Sequence, residues 1–208
     1  MSTRIYIDST DCPTELCQLG AQFFTDKSPF NPGDNMLIAR KGFTAVYEML
    51  FASLKHKEIN FCEIGIENGA SVQMWEKYFT DATLCAFEFD KNKIEKSKLL
   101  TSKTIFFETD VSNEETLDQS FLATGLLFDI IIDDSTHHTP HQQSIVKVAH
   151  KYLKQGGILI IEDCYRTDPD DTFDAVIGNN FSFNTFIVCD HNNRSGHDND
   201  KIWYGIKK

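Results

Sequence analysis

Glu63-Ile64-Gly65-Ile66-Glu67-Asn68-Gly69-Ala70-Ser71 closes a β-type run over residues 59–65 and leads straight into a helical pattern marked by Val72, Trp75 and Phe79. A strand turning on glycines into a helix is the opening unit of an α/β sheet, because glycine lets the backbone turn tightly and approach a ligand closely. Six further β-type runs follow, at 83–90, 104–110, 128–134, 157–163, 183–190 and 201–208. Ile130–Ile132 and Ile158–Ile161 are continuously apolar, as strands covered on both faces should be. The spacers between the first five runs are long enough for crossover helices, which predicts parallel order. Only a polar stretch at 191–200 separates the last two, so these are expected to pair as an antiparallel hairpin. The expected architecture is a Rossmann-like α/β domain over residues 43–208, with a seven-stranded, mostly parallel sheet ending in that hairpin. Residues 1–42 are poor in regular pattern and read as an N-terminal arm or cap.

Two other helices are marked. Over 43–54, Phe43, Val46, Tyr47, Leu50, Phe51 and Leu54 recur at helical period. Thr139-Pro140-His141-Gln142 offers an N-cap threonine, a proline at the first helical position and a glutamine three after the cap. The buried stripe of that helix would be Ile145, Val148, Ala149, Tyr152 and Leu153, with Gly156-Gly157 as its stop.

Composition narrows the function. With 31 acidic and 20 basic residues the net charge is -11, the wrong balance for gripping a phosphate backbone, so nucleic acid is not an expected partner. No apolar run approaches the roughly 20 residues of a membrane span, and the first eleven residues lack the apolar stretch of a secretory signal. A cytoplasmic protein without a membrane partner is expected, and self-association into a homo-oligomer is compatible with such a chain. The six cysteines lack zinc-site spacing and read as free structural thiols.

The chemistry sits at the strand ends. In the glycine turn the spacing is G-x-x-x-G, not the G-x-G-x-x-G of a dinucleotide fold, and Glu63 precedes Gly65 by two. That acid would repel a pyrophosphate and suits the cationic aminoacyl group of S-adenosyl-L-methionine; the bland alternative is an ordinary βα turn. Glu88 ends the second run, where a carboxylate can accept two ribose hydroxyls, and Asp110 ends the third, within reach of an adenine amino group. The fourth run emerges as Asp133-Asp134-Ser135-Thr136-His137-His138, and the fifth as Glu162-Asp163. These runs should be neighbours, bringing Asp134, Glu162 and Asp163 together, and close carboxylates repel unless a cation sits between them. Oxygen donors with room for substrate fit Mg²⁺, with Mn²⁺ as the alternative. His137 and His138 lie beside this cluster and a helix N-terminus; both positive influences would keep an imidazole neutral, as a general base must be.

Taken together, Glu63-Ile-Gly with Gly69-Ala-Ser71, Met74-Trp75, Asp133-Asp134-x-x-His137-His138, Gly156-Gly157, Glu162-Asp163 and Asp198-Asn199-Asp200 resemble the metal-dependent class I sugar O-methyltransferases of macrolide biosynthesis, of the mycinamicin and demethylmacrocin kind. Thr25-Asp26-Lys27 extends the likeness upstream. The resemblance implies that Asp134, Glu162 and Asp163 hold the metal and that His137 is the base. It implies that Glu63, Gly65, Asn68, Gly69, Ser71, Glu88, Asp110 and Asp133 form the S-adenosylmethionine set. The acceptor would then be a sugar or nucleotide-linked sugar of natural-product or polysaccharide biosynthesis, with a catechol-like diol as alternative. The chain departs from the family in Ser135-Thr136, where Gly-Ser is common, and in Lys41-Gly42-Phe43, where relatives carry a histidine and a tyrosine. Two other classes compete: an NAD-dependent oxidoreductase, disfavoured by the glycine spacing, and a nucleoside-binding module without catalysis.

Overall fold

The run containing Glu63 is strand β2 (Asn60–Ile64), and it lies inside one eight-stranded sheet. The computed structural model describes residues 4–30, 41–190 and 198–208. The other strands are β1 (Arg4–Asp8), β3 (Thr83–Glu88), β4 (Ile105–Glu108), β5 (Phe128–Asp133), β6 (Leu153–Cys164), β7 (Phe181–Asp190) and β8 (Lys201–Lys207). Their order is β1-β7-β8-β6-β5-β2-β3-β4. Among these strands only β8 runs against the rest, inserted between β6 and β7 as the expected hairpin. The strand count is corrected from seven to eight by β1, which pairs in parallel with β7 from Arg4 opposite Phe186 to Asp8 opposite Asp190.

The helices are α1 (Glu15–Gln22), α2 (Phe43–Phe51), α3 (Ala70–Tyr78), α4 (Lys91–Lys98), α5 (Glu114–Thr124), α6 (Thr139–Ala149) and the single turn α7 (Asp174–Ile177). Successive side chains of a strand point to opposite faces, and the apolar runs divide accordingly. Ile130, Ile132 and Ile160 pack with Phe43, Tyr47, Phe51 and Trp75 of α2 and α3. Ile131, Leu159 and Ile161 pack with Leu117, Phe121 and Ile145 of α5 and α6 on the other face. The chain order reverses about β2, with β3 and β4 to one side and β5 and β6 to the other. In such sheets ligands bind at the carboxyl ends beside that reversal. All six cysteines are free and five are buried, and no helix among the described residues is long and apolar enough to cross a membrane.

Helix α6 differs from its expected form. His138 is its N-cap, so Thr139 and Pro140 are its first helical residues and the threonine does not cap. Gln142 has no capping-box role either; its amide donates to the Glu162 carbonyl at 2.9 Å. The helix stops at Ala149 and passes through a 3₁₀ turn over His150–Tyr152. Leu153, Gly156 and Gly157 belong to β6. Leu153 already pairs with Phe128 of β5, and the glycines lie at the irregularity before Ile158 pairs with Ile130.

Candidate active site

Beyond the carboxyl ends of β2, β3 and β5 lie two cavities of about 240 and 470 Å³, together the size of a small-molecule site. Glu67, Asp134 and Ser135 line both, so the two form one cleft with a shared wall. Glu88 lines the smaller cavity with Phe87, Phe89, Thr109 and Val111. Its carboxylate is held by the amides of Ile66 at 3.2 Å and of Phe89 and Asp90 at 2.9 Å each. Asp110 is not among the lining residues. Its carboxylate accepts from the Ser112 amide at 2.9 Å and hydroxyl at 2.6 Å, which also holds it below the usual carboxylate range. The residues flanking it, Thr109 and Val111, face the cavity instead.

Asn68 and Ser71 line the larger cavity. Glu63 lies buried behind them: one carboxylate oxygen accepts from the Ser71 hydroxyl at 2.8 Å, and the other has no hydrogen-bond partner among the described residues. Burial pushes Glu63 up to about 7, against the opposing charge of Lys27. Both glycines take the left-handed conformation of the tight turn, and Gly65 lines the smaller cavity. Gly65 has φ +84°, and a Cβ there would lie 2.2 Å from the Asp134 carbonyl oxygen; the close approach is to the loop after β5. Gly69 is the left-handed N-cap of α3, with room for a Cβ denied by the Ser97 hydroxyl at 2.6 Å. Gly65→Ala is therefore expected to cost at least about 3 kcal/mol of stability, read from the urea midpoint; an unshifted midpoint would show that the loop after β5 gives way freely.

The acids after β5 and β6 separate into distinct roles. Asp133 is buried with its carboxylate on the Ser135 hydroxyl at 2.6 Å, and burial raises it to about 7. Asp134 lines both cavities. Its burial is outweighed by Lys27 and His137, which hold it well below the usual carboxylate range. The His137 Nε2 lies 3.0 Å from both Asp134 Oδ1 and Asp163 Oδ2. Asp134, His137 and Asp163 offer ligand atoms within 4.8 Å of one another. Glu162 stands apart from that trio, because its two oxygens are taken by Lys27 Nζ and the Tyr47 hydroxyl, each at 2.6 Å.

Sequence reading missed the cations that balance these acids. Lys27 is only 1% exposed, and its ammonium touches Asp134 and Glu162 and lies 3.9 Å from Glu63. Burial opposes its charge, but the three carboxylates prevail and hold it well above its ordinary value. Lys41 pairs with Asp163, which burial nevertheless raises to about 6. The only upstream signal was Thr25-Asp26-Lys27, and a lysine in an irregular stretch reads as solvated until its burial is seen. Tyr47 was hidden by its place in the apolar stripe of α2.

The two histidines part company. His138 is exposed at the N-cap of α6, its ring edge-on to His141. His137 turns into the larger cavity by adopting φ +55°. Its environment differs from the expected one: burial lowers the imidazole, yet the Asp134 hydrogen bond and the Asp163 charge outweigh burial and raise it. Phe24, Glu67, His137 and Asp163 are the described non-glycine residues with positive φ. All four border this cleft or its acid cluster, where such strain is characteristically kept for function.

Residues 55–204 match the family described as a methyltransferase domain. The chain belongs to the methyltransferase-domain family. The domain is 29% identical over 135 residues to the 8-demethyl-8-(2-methoxy-α-L-rhamnosyl)-tetracenomycin-C 3′-O-methyltransferase of Streptomyces olivaceus, covering 59% of this chain and 32% of that protein. It is 24% identical over 159 residues to the mycinamicin VI 2″-O-methyltransferase of Micromonospora griseorubida, covering 73% and 36%. The chain thus spans about a third of the length of these curated relatives. A solved structure of the mycinamycin-pathway methyltransferase with Mg, SAH and mycinamycin VI superposes with a TM-score of 0.68 over 93% of this chain and 54% of that one. At 19% identity that likeness concerns the fold.

Proposed function

We propose that this domain transfers the sulfonium methyl of S-adenosylmethionine to a hydroxyl of a sugar or nucleotide-linked sugar, assisted by a divalent cation. The observation that carries this reading is the wall of Asp134 and Ser135 common to both cavities, with His137 on the side of the larger one. In this reading the smaller cavity takes the nucleoside, with Glu88 toward the ribose hydroxyls. Asn68 and Ser71, with Glu63 behind, receive the aminoacyl end. Of the N-terminal region, Phe24 to Lys27 form the acceptor side, since they line the larger cavity, whereas Arg4–Asp8 belongs to the sheet. The relatives named for sugar hydroxyls support the acceptor class, in a natural-product or polysaccharide pathway. Free, buried thiols are compatible with a cytoplasmic setting.

The donor set fits a hard cation. Asp134, Asp163 and Glu162 would hold it in place of the Lys27 and Lys41 ammoniums that now pair with them, and oxygen donors suit Mg²⁺ or Mn²⁺. Such an ion would supply Lewis acidity that eases deprotonation of the acceptor hydroxyl. His137 then removes that proton at Nε2. Its side chain is 35% exposed toward the cavity, so an acceptor can reach it, and the two neighbouring carboxylates stabilise the imidazolium that forms. Positioning a neutral acceptor against the methyl supplies a further part of the rate.

Methyl transfer to a rhamnosyl acceptor, followed by mass spectrometry, is expected to vanish in excess chelator and return with Mg²⁺. S-adenosylhomocysteine, titrated by calorimetry, should bind with or without the ion because Glu88 and Ser71 need no metal. Full turnover in excess chelator would remove the metal from the mechanism.

A further inference from the structure

Helix α1 ends in a way its sequence does not favour. The Thr25 amide donates to the Gly20 carbonyl at 3.0 Å and the Phe24 amide to the Ala21 carbonyl at 3.3 Å. This is the Schellman ending, and it places Phe24 at the left-handed position that glycine or asparagine normally takes. Phe24 has φ +60° there, a conformation that a bulky residue holds only under strain. Nor is the ring repaid by burial, since Phe24 is 61% exposed. It lines the larger cavity, where it is the one large apolar ring among the described lining residues. Ile66 and Ala70 add smaller apolar surface, and polar groups such as Asp26, Asn68, Ser71, Asp134 and His137 line the rest.

We propose that Phe24 is the acceptor platform: the apolar C–H face of a saturated, hydroxylated ring rests on it while one hydroxyl is presented to His137. Pockets for small molecules combine an apolar or aromatic surface with a few placed polar groups. A sugar ring has that division, with hydroxyls around its rim and C–H bonds on its faces. Burying such a face against an aromatic ring contributes apolar contact area and orients the rim. The strain at Phe24 is then a cost borne in the free protein for a contact made with the acceptor. This inference rests on the sugar-hydroxyl reading above and adds the residue that recognises the ring.

The probe is methyl α-L-rhamnopyranoside, titrated by saturation-transfer NMR in the presence of S-adenosylhomocysteine. Wild type and Phe24→Tyr are expected to bind it alike, with the strongest transfer on the ring C–H protons. Phe24→Asn, which tolerates the left-handed backbone, is expected to weaken the glycoside about tenfold, equivalent to about 1.4 kcal/mol. Its S-adenosylhomocysteine affinity should be unchanged and its melting temperature equal to or above wild type. Equal glycoside affinity for wild type and Phe24→Asn would overturn the platform and leave the methyltransfer reading standing. So would a melting temperature several degrees lower in Phe24→Asn, the mark of a ring that serves packing. Wild type that binds S-adenosylhomocysteine but shows no transfer to the glycoside removes both platform and sugar acceptor. Failure to bind S-adenosylhomocysteine at all removes the methyltransfer reading itself.

Discussion

Lys27→Met is expected to lower the stability of the domain by about 3–5 kcal/mol, the cost of removing one partner from a buried charge pair. The methionine preserves the length of the side chain, so the loss is one of charge and not of packing. Lys27 is enclosed, and its ammonium faces Asp134, Glu162 and Glu63 together. Without it, the Glu162 carboxylate keeps only the Tyr47 hydroxyl as a hydrogen-bond partner among the described residues. At about 2–4 °C per kcal/mol for a chain of this size, melting should drop by roughly 6–20 °C. The defect should grow with pH. Burial already raises Glu162 well above its ordinary value, with Lys27 opposing. A carboxyl raised in the folded state binds protons that the unfolded chain has released. Stability therefore falls as pH climbs from the unfolded value toward the folded one, and removing Lys27 removes the opposition. Mg²⁺ should restore more stability to Lys27→Met than to wild type, because a cation can then occupy the place of the ammonium. Scanning fluorimetry at pH 6 and 8, with and without Mg²⁺, checks all three; a variant within 2 °C of wild type throughout would show that the acids do not depend on Lys27.

His137→Asn is expected to reduce kcat by about 10²–10⁴-fold, the usual worth of a positioned general base. Asparagine is the informative replacement because it accepts the left-handed backbone that His137 adopts; alanine would add strain to the chemical defect. Affinity for S-adenosylhomocysteine and for Mg²⁺ should stay within about threefold of wild type, since a hard ion prefers the oxygen donors nearby. His138→Asn, altering an exposed side chain, should change kcat less than twofold. The wild-type rate should rise with pH as His137 loses its proton, along a limb displaced upward from the ordinary imidazole value by Asp134 and Asp163. Were Mg²⁺ affinity to fall tenfold or more in His137→Asn, the imidazole would be a ligand, as its place beside the two carboxylates also permits. Unchanged turnover would mean that no base is needed.

The alternating burial of Ile130, Ile131 and Ile132 was legible because an apolar run without polar interruption has no solvent face. The hairpin of β7 and β8 was legible because ten polar residues cannot make a helical crossover. Strand β1 was not, since Arg4–Asp8 has two exposed apolar residues, Ile5 and Tyr6, and becomes a strand only because β7 offers an edge. The acids were found from their strand ends, but which of them face a cavity depends on serines. Ser135 draws Asp133 inward and Ser112 turns Asp110 aside. The family resemblance singled out His137 over His138, but the left-handed backbone that turns it into the cavity is encoded by no spacing, and Lys27 required the burial of a segment without periodic pattern.

The contact at Gly65 has a mechanical side. The Asp134 amide donates to the Ile64 carbonyl at 2.8 Å, and the next residue leaves no space for a methyl group before the Asp134 carbonyl. Two turns from different crossovers are thus clamped into one stiff joint, with the smaller cavity on one flank and His137 on the other. A shift of the glycine turn would therefore press directly on the Asp134 backbone. Alignment at the two ends of the cleft thus has a common datum.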